Sequence, residues 1–233
     1  MYVGVDGSKV LVTTGAVGIQ NTEIIDLDDA SFQCEVSQFP MSAHKATGGF
    51  VDNTALICGG HFYGDQKSCY SLKEDGEWKF ESSLNTARSL TATGSVNMNH
   101  KLVIAGGIQR GTENNLATIE VVASNNESVT LPIKLPVAMH SACIVPWDTN
   151  TFMVIGGHDG SQRKQTLFIH MGNNSYTEGP NLLVARHWHA CHTIHVNSED
   201  YIIVAGGEGA SSKSTEVLRK ANYGTGWKFK FSF

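Results

Sequence analysis

Along this chain apolar residues fall in blocks of four to six, alternating with polar ones or running together, and the blocks stop at Gly, Asn or Asp. No stretch sustains the 3.6-residue period of an amphipathic helix. The pattern therefore predicts short β-strands and turns throughout. Its most regular feature is a β-branched run closing on two glycines, as in "LICGG", "LVIAGG", "FMVIGG" and "YIIVAGG". The pairs Gly59-Gly60, Gly106-Gly107, Gly156-Gly157 and Gly206-Gly207 are spaced by 47, 50 and 50 residues. "VLVTTGAVG" fits the same register, with Thr14-Gly15 standing 45 residues before Gly59. Self-similarity at a fixed period is the mark of a repeat architecture. Five units result, at about 1–40, 41–86, 87–137, 138–184 and 185–233, read together as a single domain.

Each unit repeats one plan. A strand-like stretch precedes the run into the glycines, a polar loop follows, and a third strand opens similarly in "NTEIIDL", "KSCYSL", "ATIEVV", "QTLFIH" and "STEVLR". A fourth strand carries an aromatic in "GEWKFESSL" and "GTGWKFKFSF", with Phe32, Val129 and Tyr176 near that place elsewhere. Four short antiparallel strands in a repeat of this length make a propeller blade, so the expected fold is all-β with five four-stranded blade units. Glycine suits the crowded end of an inner strand, where backbones approach closely and turn outward. The Trp near the outer strand is expected to cover the core between blades.

These residues resemble the kelch repeat, whose marks are an Arg and a His near the first strand, a glycine pair after an apolar run, and a later Trp. Unit five matches best, with Arg186, His189, Gly206-Gly207 and Trp227. Unit three has Arg88 and its glycines; unit two has His44, its glycines and Trp78; unit four has Met139, His140, its glycines and Tyr176. The "GH…WD" signature of the rival WD40 repeat is absent. Kelch propellers close with six or seven blades, against five units here. Three readings stand: a five-bladed ring, part of a larger six-bladed ring, or a ring completed by another chain, the second being preferred. Unpaired blade edges would invite self-association.

Composition narrows the partners. A net charge of −5 and a pI near 6.0 argue against binding a phosphate backbone, so no nucleic acid is expected. No apolar run approaches the ~20 residues of a membrane helix. No secretory pattern opens the sequence, and a cytoplasmic location is expected. The five cysteines form neither CxxC nor a zinc knuckle. Cys58, Cys143 and Cys191 lie in apolar runs and read as buried thiols of a reducing compartment, with a Cys58–Cys69 bridge as the alternative. Two glycosylation sequons, at Asn126 and Asn173, match what chance expects for this composition.

No motif for catalysis appears: GxSxG, HExxH, the P-loop and the dinucleotide fingerprint are all missing. The cluster His187, His189, His192 and His195 is the best metal candidate, with His187, His189 and Cys191 expected on one face of a strand and His192 and His195 pointing elsewhere. The repeat pattern instead gives His189 a packing role, and no metal or cofactor is expected. Some kelch propellers are enzymes, including copper-radical sugar oxidases and a sialic acid mutarotase. The oxidase would need a Tyr–Cys cross-link, for which Tyr63, Tyr70 and Cys69 are the raw material, but no arrangement here reproduces its full set. The preferred function is a non-catalytic protein-interaction module. The resemblance implies ubiquitin-ligase substrate recruitment or cytoskeletal scaffolding, with a protein partner gripped by loops on one face. Those loops supply His61, Tyr63, Arg110, His158, Arg163 and Lys164, with Arg88 and Arg186 placed at the same rim. Arg and Tyr dominate interface energetics, and a guanidinium can hold a carboxylate in bidentate fashion.

Overall fold

A computed structural model of the chain describes residues 2–6, 9–13, 19–29, 31, 36–52, 54–61, 67–91, 96–98, 100–109, 112, 114–123, 127–209 and 213–232. Four four-stranded antiparallel sheets form propeller-like blades. Unit two contributes β4 (Thr47–Val51), β5 (Thr54–Cys58), β6 (Ser68–Leu72) and β7 (Trp78–Ser83). Unit three contributes β8 (Val96–Asn97), β9 (Lys101–Ala105), β12 (Thr118–Ala123) and β13 (Ser128–Lys134). A ribbon of β10 (Ile108–Gln109) and β11 (Asn114–Asn115) rises from its post-glycine loop. Unit four has β14 (Cys143–Pro146), β15 (Thr151–Ile155), β16 (Thr166–His170) and β17 (Ser175–Glu178). Unit five has β18 (Ala190–Val196), β19 (Glu199–Ala205), β20 (Ser214–Arg219) and β21 (Lys228–Ser232). Unit one gives three strands rather than the expected four, β1 (Tyr2–Asp6), β2 (Lys9–Thr13) and β3 (Thr22–Asp26). The fourth strand expected near Phe32 lies outside the described residues.

The core is divided into layers between sheets, because strands sandwiched on both faces bury alternate residues in opposite directions. In β9, Leu102 and Ile104 join the cluster with Leu56 and Cys58 of unit two. Their neighbours Val103 and Ala105 join Ile144, Phe152 and Val154 of unit four. Met153 and Ile155 then pack with Ile202, Val204 and Trp227 of unit five. Two of the aromatic expectations hold: Trp78 donates from Nε1 to Thr22 Oγ1 of unit one at 3.1 Å, and Trp227 donates to Pro180 O of unit four at 2.8 Å. Each Trp thus reaches back to the preceding sheet. Val129 and Tyr176 do not take that role, being 48% and 45% exposed. Phe32 lies outside the described residues.

Two series of backbone hydrogen bonds run from sheet to sheet. Gly60, Gly107 and Gly157 donate their N–H to Arg88, Met139 and Arg186 of the following unit, at 3.0, 2.9 and 2.8 Å. This is the physical reason for the glycine pair. Gly106 has φ +64°, and a Cβ there would stand 2.4 Å from Met139 O of the next unit. In the second series a residue leading into each first strand takes a positive φ: Lys45 +61°, Ser141 +53° and Trp188 +55°, each two before its strand, and Leu90 +50°, six before β8. Leu90 donates to Lys45 O, Ser141 to Leu90 O and Trp188 to Ser141 O, at 3.1, 2.9 and 3.1 Å.

Among the described residues neither series continues beyond unit five. A Cβ on Gly206 would meet nothing within 4 Å. Every residue of β15 is buried, whereas in β19 Tyr201, Ile203 and Ala205 are half-exposed.

The cysteines correct the expectation of free thiols. Cys58 and Cys69 form a disulfide across β5 and β6, with their Cα atoms 4.1 Å apart. Cys143 of β14 and Cys191 of β18 form a second, which staples unit four to unit five with Cα atoms 6.0 Å apart. The two cysteines do not occupy the same repeat position. Cys143 pairs with Ile155 in register, and the residue paired with the corresponding Ala205 is Ala190. Cys143 therefore faces forward and Cys191 faces back.

Candidate functional site

The same two segments of each unit meet at one end of the sheets: the lead-in to the first strand and the residue after the glycine pair. They pair as His44 with His61, Ser89 with Ile108, and His140 with His158. In unit five, Glu208 donates its backbone N–H to His187 O at 3.2 Å. The result is a rim rich in histidine. Ring centroids lie 4.7 Å apart for His44 and His61, 5.0 Å for His140 and His158, and 5.0 Å for His158 and His187. Trp188 extends the series, with its ring 4.7 Å from that of His187 and 53% of its surface exposed.

Polar contacts hold these rings. His187 Nε2 lies 2.9 Å from a Glu208 carboxylate oxygen, and His140 Nδ1 lies 2.8 Å from Ser141 Oγ. His158 Nδ1 accepts from the Gly160 N–H at 3.3 Å. Burial pushes His140 down to about 4, helped by His158, His187 and Lys45. His187 is lowered by burial and His158, partly offset by Glu208. Near neutral pH His140 and His187 are therefore uncharged imidazoles, able to stack and to exchange hydrogen bonds.

Of the residues expected at the partner-binding face, His61, His158, Arg163 and Lys164 lie on or beside this rim. Lys164 is exposed, while the Arg163 guanidinium is tied to Asp159. Tyr63 and Arg110 lie outside the described residues. Arg88 and Arg186 are not on the rim: both are 0% exposed. Arg88 pairs with Glu120, and donates to Gly106 O at 2.9 Å and Thr118 O at 3.1 Å. Arg186 pairs with Glu216 at 2.9 Å and donates to Gly206 O and Ser214 O at 2.7 and 3.0 Å. The rim of a blade needs an exposed cation, but these two serve the blade's interior. Their guanidiniums donate to the Gly106 and Gly206 carbonyls at the glycine turn, and share Thr118 O and Ser214 O with the N–H groups of those same glycines.

His187 and His189 precede β18 rather than lying within it, and the positive φ of Trp188 breaks the alternation that would have put them beside Cys191. His189 is 2% exposed, and a Cβ on Gly156 would meet its Cε1 at 2.9 Å, so it packs against the preceding unit. Among the described residues no group of three or more His, Cys, Asp or Glu is placed to hold a metal ion. Trp188, Lys45 and Glu208 are rim residues that the sequence reading passed over. Their signal was positional: each lies a fixed step from a first strand or a glycine pair.

Burial also pushes His189 down to about 4, with Arg186 adding to the effect. An unfolded His titrates near 6.5, so as pH falls below that value the unfolded chain binds protons that folded His140 and His189 refuse. Stability present above about pH 6.5 is therefore lost progressively down to about pH 4. Urea unfolding should show a lower midpoint at pH ~5 than at pH ~7.5, and the difference should shrink in His189→Gln. Equal midpoints at the two pH values would refute this assignment.

No protein-family model and no curated protein matches the chain. No helix among the described residues is long and apolar enough to cross a membrane.

Proposed function

We propose that the chain is a kelch-type protein-interaction module that grips a segment of a protein partner at the histidine rim and performs no catalysis. The observation that carries this is Trp188. A bulky residue at φ +55° is costly, yet it is held there by the inter-unit hydrogen bond to Ser141 O and presents an exposed indole beside His187. The positive φ is shared with Lys45, Leu90 and Ser141 of the other units, and in unit five it sets an exposed apolar ring at that place, the arrangement expected of a binding anchor. The stacked His140, His158 and His187 continue that surface, and Lys45 and Lys164 add exposed cations suited to acidic groups on the partner.

The oxidase alternative loses its raw material, because Cys69 is bonded to Cys58 and is not available to a tyrosine. Ubiquitin-ligase recruitment and cytoskeletal scaffolding belong to a reducing cytoplasm, and two disulfides weigh against that setting. The half-exposed face of unit five favours a larger ring, in which unit one is a fifth blade and a further sheet packs on β19.

The rim is tested by substitution. Trp188→Ala and His158→Ala should each weaken capture of the native partner by about thirtyfold or more, the loss of a hot-spot residue, with thermal unfolding little changed. Unchanged capture by both variants, with the fold intact, would refute the rim.

A further inference from the structure

We propose that Asn173 is an acceptor for an N-linked oligosaccharide, and that the chain matures in an oxidising, glycosylating compartment. Two independent sets of observations converge on this.

The first is the disulfides. Cys58, Cys69 and Cys143 are 1%, 0% and 1% exposed, and the two bridges join neighbouring strands and neighbouring units. Bridges of this kind form and persist in compartments of the secretory route rather than among reduced cytosolic thiols. N-linked transfer takes place on the same route, and its acceptor is a surface Asn-X-Ser/Thr.

The second is the setting of the sequon. Asn173-Asn174-Ser175 forms the tip of the β16–β17 hairpin, where Gly172, Asn173 and Asn174 are all exposed. Asn174 at φ +54° turns the chain, and the Ser175 hydroxyl donates to Asn173 Oδ1 at 2.7 Å. The hydroxyl that defines the sequon thus already lies against the amide that would react. No packing is lost when a bulky group is added at this tip.

Position adds a further argument. The hairpin joins third and fourth strands, so it lies at the opposite end of the blade from the post-glycine loops that build the rim. The other sequon residue, Asn126, lies outside the described residues, but it falls in the same connection of the preceding unit, between β12 and β13. The two sequons therefore fall in the same sequence interval of consecutive units, between the third and fourth strands.

In the transfer, Asn173 Nδ2 displaces a lipid pyrophosphate from the anomeric carbon of the incoming oligosaccharide. A C–N bond forms, the anomeric C–O bond breaks, the amide gives up one proton, and the lipid pyrophosphate leaves.

The full chain should be passed through the secretory route of eukaryotic cells and its mass read before and after peptide N-glycosidase. One oligosaccharide should be released from Asn173, leaving Asp at that position. Asn173→Gln and Ser175→Ala should each abolish that modification, Ser175→Thr should restore it, and Asn126→Gln should leave it unchanged. Thiol alkylation under denaturing conditions should find four of the five cysteines protected. An unmodified Asn173 in folded, secreted chain would overturn the acceptor assignment. Recovery of folded chain with all cysteines alkylated would overturn the compartment.

Discussion

Replacing Glu216 with Ala is expected to lower the free energy of unfolding by about 3–5 kcal/mol, the range for breaking one partner out of a buried ion pair. Arg186 and Glu216 are both 0% exposed, so the variant leaves a guanidinium charge with neither counter-ion nor water. It also strips the acceptor from the backbone N–H groups of Leu183 and Val184, which donate to the carboxylate at 2.7 and 3.1 Å. Each such orphan adds a desolvation cost. Unit three has the same construction, with Asn85 and Thr86 donating to Glu120 at 2.7 and 3.1 Å.

The chain also contains the alternative that should rescue the loss. At the lead-in to and within unit four the positions of Leu183, Arg186 and Glu216 are held by Pro136, Met139 and Leu167, with the Met and Leu 3% and 5% exposed. Pro carries no N–H, so no carboxylate is needed to receive it. The triple variant Leu183→Pro, Arg186→Met, Glu216→Leu should recover most of the stability lost in Glu216→Ala, since apolar replacement of a buried pair is often neutral. Denaturant unfolding of the three proteins decides the matter. A single Glu216→Ala as stable as the parent would show that the pair carries no structural weight.

Paired Ala substitution of Cys143 and Cys191 should cost about 4 kcal/mol, and the same change at Cys58 and Cys69 about 3 kcal/mol, from the chain entropy each bridge removes from the unfolded state. The difference follows from the enclosed segments, 48 residues for the first bridge and 11 for the second. The first also holds two sheets together, and the second only neighbouring strands of one sheet. Loss of the first should therefore expose the amides of β18 and β19 to hydrogen exchange ahead of the rest. Equal costs for the two pairs, with no selective exchange in unit five, would argue against the staple.

Much of the strand plan was legible in the order of residues. Runs such as "FMVIGG" and "YIIVAGG" predict strand and turn by local rules, because β-branched residues suit extended backbone and paired glycines suit positive φ. The buried ion pairs were also legible in principle. Units three and five carry both Arg and Glu, with Asn85 and Leu183 in their lead-ins, whereas at the corresponding positions units two and four carry neither and are led into by Pro40 and Pro136. An Arg that appears and disappears together with a strand Glu marks Arg88 and Arg186 as interior rather than rim residues.

Other features needed the assembled sheets. Cys143 and Cys191 are 48 residues apart and face each other only because one points forward from its sheet and the other back from the next. Strand alternation gives each residue a side, but which neighbouring sheet lies on that side is a matter of how the units pack. The rim has the same origin. His158 belongs to one unit and His187 to the next, and their rings meet because inter-unit hydrogen bonds set the two lead-ins side by side. The sequence by itself determined the repeat, the strands and the glycine turns, all of which depend on residues close along the chain. The tertiary structure alone decided the disulfides, the buried place of the two arginines and the exposed place of Trp188, since each depends on contacts between segments tens of residues apart.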